Sequence, residues 1–286
     1  MTKAPFDFTE PELRTTSVLF ASPHSGRHYP RAFLRRTVLD ELSIRSSEDA
    51  FVDVLFQAAP SYGAPFLKAV MPRAFVDLNR AAEELDPALI EGVRKSSHNP
   101  RVTSGLGVVP RVVSNGRAIY RGKMSLTEAH GRIANYWRPY HDTLQTAIDD
   151  GVHRFGQSIL IDCHSMPHEA IDSIANPGIR RPDVVLGDRF GAAARPDVVD
   201  QVEAAFPRAG LKVVRNAPFA GAYITQHYGR PSRNQNVVQV ELDRALYMDE
   251  ATIEPRPDFD AFCSVMDGVV ADLTEIGRQD VPLAAE

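Results

Sequence analysis

Only two cysteines occur in the 286 residues, Cys163 and Cys263, far apart and in no CxxC pair. They supply no disulfide framework, so a reducing cytoplasm is the expected setting. Cys163 sits inside an apolar run and reads as a small buried hydrophobe. No run of about 18 apolar residues exists, which excludes a membrane-spanning helix. The first ten residues carry Asp7 and Glu10 and no apolar stretch, so no signal peptide is expected. Basic charge is scarce too: 32 Lys+Arg face 37 Asp+Glu, a net charge of −5. That argues against a nucleic-acid partner, which asks for a basic face. A small anionic ligand is still allowed, because a few arginines converging in one pocket override the overall sign. Neither GxGxxG nor GxxxxGK[ST] occurs, and His24-Ser25-Gly26 lacks the GxSxG frame of a serine α/β-hydrolase. There is no internal repeat and no low-complexity tract.

What is present suits a soluble α/β enzyme. A chain of this length buries a sizeable core without disulfides. Short apolar runs rich in β-branched and aromatic residues at 17–21, 65–71, 158–163, 183–186, 211–214 and 237–242 read as buried strands. Helical periodicity appears at 48–59, at 125–150 and at 259–276. The second opens on Ser125-Leu-Thr-Glu128, a capping box, and is interrupted or kinked by Pro139. Alternating strands and helices predict an α/β fold with a mainly parallel central sheet, in one domain over residues 1–286. Segments 91–104, 166–182 and 217–236, rich in Gly, Pro, Ser and Asn, are expected to be functional loops.

Ligands of open α/β sheets bind beyond the C-terminal ends of the strands. The first run exits into Ser22-Pro-His24-Ser25-Gly26, and run 158–163 into His164-Ser165-Met166. The run ending at Leu242 carries Glu241. Two imidazoles and a carboxylate are the usual protein set for catalytic zinc, with a second carboxylate as base. Asp162, close to His164, is either its orienting partner or an ordinary buried carboxylate. For the third ligand the residues leave Glu48 and Asp49 open, since either could instead cap the following helix. Arg73-Ala-Phe-Val-Asp77-Leu-Asn79-Arg80 reads as a short strand ending in a polar trio suited to holding a carboxylate. The plainer alternative is a solvated strand end with salt bridges. Gly221 to Pro231, with Tyr223, His227, Tyr228 and Arg230 between glycines, could be a substrate loop or ordinary surface.

Together these strings resemble one family. Ser22-Pro-His24-Ser25-Gly26, Asp49-Ala-Phe-Val-Asp53, Val76-Asp-Leu-Asn79-Arg80, Ile119-Tyr120, Pro139-Tyr-His141, Ile161-Asp-Cys-His164-Ser-Met, Tyr223-Ile-Thr and Gln239-Val-Glu241 run in the order seen in the N-formylglutamate amidohydrolase family. The Asp-Leu-Asn-Arg string also resembles aspartoacylase and succinylglutamate desuccinylase, of the zinc carboxypeptidase-like superfamily. The resemblance implies a three-layer α/β/α sandwich with a mixed, mainly parallel sheet, phosphorylase/hydrolase-like. It implies a zinc site, or one for another divalent metal, on His24 and His164. The superfamily's His-x-x-Glu pattern has Arg27 at its last position here, so the resemblance points to Asp49 as third ligand. It makes Glu241 the general base, sets Arg73 near the scissile carbonyl, and gives substrate binding to Asn79 and Arg80, with Arg230 and Tyr223 added from their loop. The expected partner is a small acidic N-acyl amino acid, N-formyl-L-glutamate first, and the expected context is histidine degradation. The rivals are a related zinc deacylase or carboxypeptidase, and a non-catalytic binder of small anions on the same scaffold. Oligomeric state has no signature in the sequence.

Overall fold

The computed structural model describes residues 4–94, 99–174 and 181–278. Parts of two expected loops, 95–98 and 175–180, lie outside the described residues. Seven strands form one sheet: β1 (Phe6–Thr9), β2 (Val18–Ser22), β3 (Phe66–Ala69), β4 (Ser158–Met166), β5 (Val184–Gly187), β6 (Val213–Arg215) and β7 (Gln235–Asp243). Their spatial order is β1-β3-β2-β4-β7-β5-β6. Strands β3, β2, β4 and β7 run parallel, while β1 and β5 are antiparallel to their inner neighbours. The sheet is therefore mixed and mostly parallel. A two-stranded pair, β8 (Met248–Asp249) and β9 (Glu254–Pro255), stands apart.

The helices are α1 (Arg31–Leu34), α2 (Glu41–Arg45), α3 (Val52–Leu55), α4 (Pro100–Thr103), α5 (Leu126–Arg132), α6 (Arg138–Phe155), α7 (Pro196–Arg208), α8 (Tyr223–Tyr228) and α9 (Phe259–Glu275). Two cores result from the period-2 alternation of strand side chains. Val18 and Phe20, Ile159, Ile161 and Cys163, and Val238, Val240 and Leu242 face one side, with residues of α3, α7 and α9. Leu19 and Ala21, Leu160 and Val237 face the other, with residues of α5 and α6. No described helix is long and apolar enough to cross a membrane.

Three expected elements differ in detail. The helical run 48–59 begins only at Val52, because Phe51 adopts a left-handed φ of 66°. Run 125–150 is α5 and α6 joined without a break by a π-helical turn, Ile133–Trp137, with Pro139 two residues beyond that turn. Half of the capping box forms: the Ser125 hydroxyl accepts the Glu128 N–H, while the Glu128 carboxylate turns to Arg36 and Arg132.

The third difference is a correction. Residues 73–80 are not a strand but a chain of turns. Side chains replace the strand ladder: Arg132 donates to Phe75 O, His141 Nε2 to Leu78 O, and Trp137 Nε1 to Arg80 O, each at 2.9–3.0 Å. Burial pushes His141 down to about 3, so its imidazole is neutral, with Nε2–H donating and Nδ1 accepting from the Tyr228 hydroxyl.

Behind β2 the backbone makes a close approach. A Cβ on Gly26 would lie 2.1 Å from the Met71 carbonyl oxygen, a backbone atom that cannot swing aside. Gly26→Ala should therefore cost about 1–3 kcal/mol of stability through overpacking. Urea unfolding measures this; a midpoint matching that of the unsubstituted chain would show that residues 24–28 are free to move.

Candidate active site and metal centre

On the α5–α6 side of the sheet, apolar residues give way to polar ones toward the strand ends. Leu160 is followed at the same parity by Asp162 and His164, and Val237 by Gln239 and Glu241. The parallel register sets Asp162 beside Gln239 and His164 beside Glu241. His24 stands just past β2. Asp49 is brought in by its own N–H, which donates to the His24 carbonyl at 3.1 Å. Glu48 points elsewhere, accepting from the Tyr29 hydroxyl at 2.6 Å and pairing with Arg45 at 3.2 Å. Neither carboxylate caps α3. Arg27, in place of an acidic residue, pairs with Asp53 at 2.9 Å.

His24, Asp49 and His164 are buried, and one donor atom from each lies within 4.8 Å of the others. Asp49 Oδ2 is 3.0 Å from His164 Nδ1 and 3.4 Å from His24 Nδ1. The outer nitrogens face carboxylates: His24 Nε2 to Asp77 Oδ1 at 2.8 Å, and His164 Nε2 to Asp162 Oδ1 at 3.1 Å. The second contact is off-axis, and Asn79 Nδ2 also lies 3.2 Å from His164 Nε2. The Asn79 amide, oriented by the Ile224 N–H on its Oδ1, therefore donates to His164 Nε2. His24 donates its Nε2–H to Asp77, so its Nδ1 turns a lone pair inward. His24 Nδ1 is a buried atom without a hydrogen-bond partner among the described residues, which is what an imidazole prepared for a cation presents. A tetrahedral ion with bonds of about 2.0–2.2 Å sets its ligand atoms roughly 3.3–3.6 Å apart, close to the spacing about Asp49. The donor set fits a divalent metal.

Asp49 itself is fixed from behind. Arg244 Nη2 donates to Oδ1 at 2.9 Å, and the Ser165 hydroxyl at 3.3 Å, leaving Oδ2 for the histidines. Burial alone would raise Asp49, but the His164 and His24 imidazoles outweigh it and hold the carboxyl well below the usual range. Asp77 behaves likewise, with Arg73 the strongest of the groups that overcome its burial. Burial would lower His164; Asp162 and Asp49 reverse the sign and raise it well above the usual value. Protons and a cation thus compete for the same lone pairs.

Glu241 has a different setting. Burial pushes it up to about 7. Gln239 Nε2 donates to Glu241 Oε1 at 2.8 Å, and Gln239 Oε1 accepts the Ala222 N–H at 3.1 Å, which fixes the amide's orientation. Asn79 plays a parallel part, its Oδ1 accepting the Ile224 N–H at 2.8 Å. The start of α8 is thereby tied to two residues of the site.

These groups line a cavity of about 320 Å³, with Arg73, Arg80, Arg101 and Arg244 on its walls, a size suited to a small molecule. A larger hollow of about 750 Å³ beside His168 and the β8–β9 pair contains no such convergence of ligand atoms among the described residues. Two of the expected residues are not on the cavity wall. Arg230 is exposed, its backbone bridged to Gln235. Tyr223 opens α8 and stacks among Trp137, His141 and His227 behind the wall, where burial pushes its hydroxyl up to about 12. The helical turn of 223–228 aims that ring inward and carries Arg230 outward. Gln239 and Arg244 were within reach of strand parity and strand-exit position; Arg101 carries no comparable signal.

Comparison with known proteins agrees with this architecture. The sequence profile described as N-formylglutamate amidohydrolase matches residues 16–248. The chain belongs to the N-formylglutamate amidohydrolase family. Within the family, it is 31% identical over 240 residues to a protein of Pseudomonas aeruginosa named N-formylglutamate deformylase, covering 82% of each chain. A Pseudomonas putida protein of the same name is 29% identical over the same share. The crystal structure of N-formylglutamate amidohydrolase from Ralstonia eutropha JMP134 superposes with a TM-score of 0.88 at 34% identity, covering 96% of this chain and 98% of that one. A gene product of Agrobacterium tumefaciens shares the fold, with a TM-score of 0.62 at 14% identity.

The commitments of Glu48 and Asp49 generate a sharp contrast. Asp49→Asn should reduce divalent-metal affinity about 10-fold or more, in the range seen when a ligand's environment is altered. Glu48→Gln should leave metal content unaltered. Equal metal content in the two purified variants would remove Asp49 from the ligand set.

Proposed function

We propose that the chain hydrolyses the amide bond of an N-acyl acidic amino acid, N-formyl-L-glutamate first, giving L-glutamate and formate. The observation that carries this reading is one cavity combining the His24–Asp49–His164 cluster, a separate carboxylate raised to about 7, and walls lined with arginine. The names of the relatives at 31% and 34% identity support the choice of substrate. On this reading the chain belongs to the breakdown of histidine.

His24, Asp49 and His164 would hold a divalent ion, zinc by the nature of the two imidazoles and one carboxylate. Such an ion, when bound, supplies Lewis-acid polarisation of the carbonyl and acidifies water. The other roles fall to the chain's own groups. Glu241 takes a proton from the attacking water as the new C–O bond forms. It returns that proton to the amide nitrogen as the C–N bond breaks, so formate and the free amine leave. Gln239 holds Oε1 of Glu241, leaving Oε2 to handle the proton. Arg73, anchored to Asp77 at 2.9 Å, stabilises the developing oxyanion. Asn79 and Arg80 hold the α-carboxylate. Arg80 Nε and Nη1 are already spent on the Leu106 and Asn79 carbonyls, which fixes the plane of its guanidinium.

Two measurements test this. Glu241→Gln should keep metal and substrate affinity while lowering kcat about 100-fold or more; a variant with undiminished kcat would remove Glu241 from the proton transfer. The pH profile has a definite sign. Glu241 accepts a proton only when ionised, and burial raises its pKa to about 7, so kcat/KM should climb about tenfold per pH unit below that value and level off above it. A bound cation shifts the bend downward. Rates that fall between pH 6 and 8 would contradict a base at this position. A screen of N-formyl, N-acetyl and N-succinyl amino acids, with metal content measured alongside, tests the substrate itself.

A further inference from the structure

Of the four arginines on the cavity wall, two already have carboxylate partners: Arg73 with Asp77 and Arg244 with Asp49, each at 2.9 Å. No carboxylate among the described residues lies within 4.0 Å of a nitrogen of Arg80 or Arg101. The Arg101 guanidinium makes no hydrogen bond among them either. Its backbone is nonetheless well fixed: Asn99 Oδ1 accepts the Arg101 N–H at 3.0 Å, and the Arg101 carbonyl accepts the Leu106 N–H at 2.8 Å. Burial, with the like charges of Arg73 and Arg101, pushes Arg80 down from its ordinary value. Unpaired like charges facing one cavity repel each other, and an anion between them reverses the sign of that energy. A second donor, Ser47, lines the same cavity. Its oxygen accepts the Ser114 N–H at 2.9 Å, which leaves its own proton uncommitted.

We propose that Arg101, with the Ser47 hydroxyl, forms a second carboxylate subsite at the cavity mouth that reads the side-chain carboxylate of a dianionic ligand. The assignment of subsites follows from covalent geometry and burial, and rests on the reaction proposed above. The α-carboxylate of an N-acyl amino acid is attached to the carbon that bears the scissile nitrogen, so it must lie close to the metal cluster. Arg80, 4% exposed, is the deep arginine and takes it. In glutamate the other carboxylate lies two methylenes further out, and Arg101 is the exposed arginine of the pair. Arg101 is then what separates acidic from neutral N-acyl amino acids.

The test uses the full chain and two non-reacting probes of equal length, glutarate and pentanoate, measured by titration calorimetry. The unsubstituted protein should bind glutarate more tightly than pentanoate, and Arg101→Met should weaken glutarate about tenfold or more, the loss expected for a charge-assisted hydrogen bond. Arg101→Lys should recover only part, because an ammonium lacks the two-pronged geometry. In kinetics, Arg101→Met should raise KM for N-formyl-L-glutamate rather than lower kcat, and reduce the preference over N-formyl-L-methionine by the same factor. Glutarate affinity and substrate preference within twofold of the parent would overturn the subsite. So would an equal loss toward both substrates, or a parent protein that binds the two probes alike. A parent that binds glutarate in an Arg101-dependent way yet leaves N-formyl-L-glutamate intact would sink the proposed reaction while sustaining the subsite.

Discussion

A carboxylate shut away from water stays ionised only if the protein surrounds it with donors or positive charge. Asp49 is that group here. Its Oδ1 is held by Arg244, just past β7, and by Ser165 on β4; its Oδ2 faces His164 on β4 and His24 just past β2. Four residues from three neighbouring parallel strands meet on one buried group. Lifting any of those strand ends away would strand the charge in the interior. The order β2-β4-β7 within the sheet is thus a condition for the site, and the site in turn makes the strand ends costly to displace.

The same economy governs the carboxylates of the second layer. Asp77 and Asp162 each sit behind one histidine, and Asp77 is also compensated by Arg73. Glu241 is the exception. It is buried with no ion pair among the described residues, and Gln239 offers it a neutral donor rather than a charge. One cavity therefore contains a carboxylate driven well below its ordinary value and another driven up to about 7. Separation of that kind lets one group stay a permanent anion while the other exchanges a proton near neutral pH.

Much of this was legible in the residues because strands in the middle of a parallel sheet are buried on both faces and read as continuous apolar runs. Runs 158–163 and 237–242 locate β4 and β7; the exit of the first locates His164, and the second carries Glu241. Edge strand β1 alternates in burial over only four residues, and such a short signal does not stand out from a loop. The choice between Glu48 and Asp49 was closed to local reasoning, because Tyr29 and Arg45 claim Glu48 only in the folded chain. Segment 73–80 misled for a related reason. Its apolar alternation is real, with Val76 and Leu78 buried, but the partners of its carbonyls are side chains more than fifty residues away.

Those distant partners have a consequence for how the substrate-binding residues are held. Asn79 and Arg80 lie on turns, which on their own are less precise supports than strands. The π-helical turn compensates. Trp137 at its end and His141 one helical turn later lie on the same helix face. Their ring N–H groups donate to the carbonyls of Arg80 and Leu78, on either side of Asn79. The two rings pack at 4.0 Å between centroids, so neither swings without the other. Burial keeps His141 neutral, and its Nδ1 is claimed by Tyr228, which fixes the tautomer that can donate to Leu78. A neutral imidazole locked in one tautomer adds a directional bond without adding charge to a region already crowded with arginine. The loop therefore gains much of the rigidity of regular structure while its own side chains stay free to face the cavity.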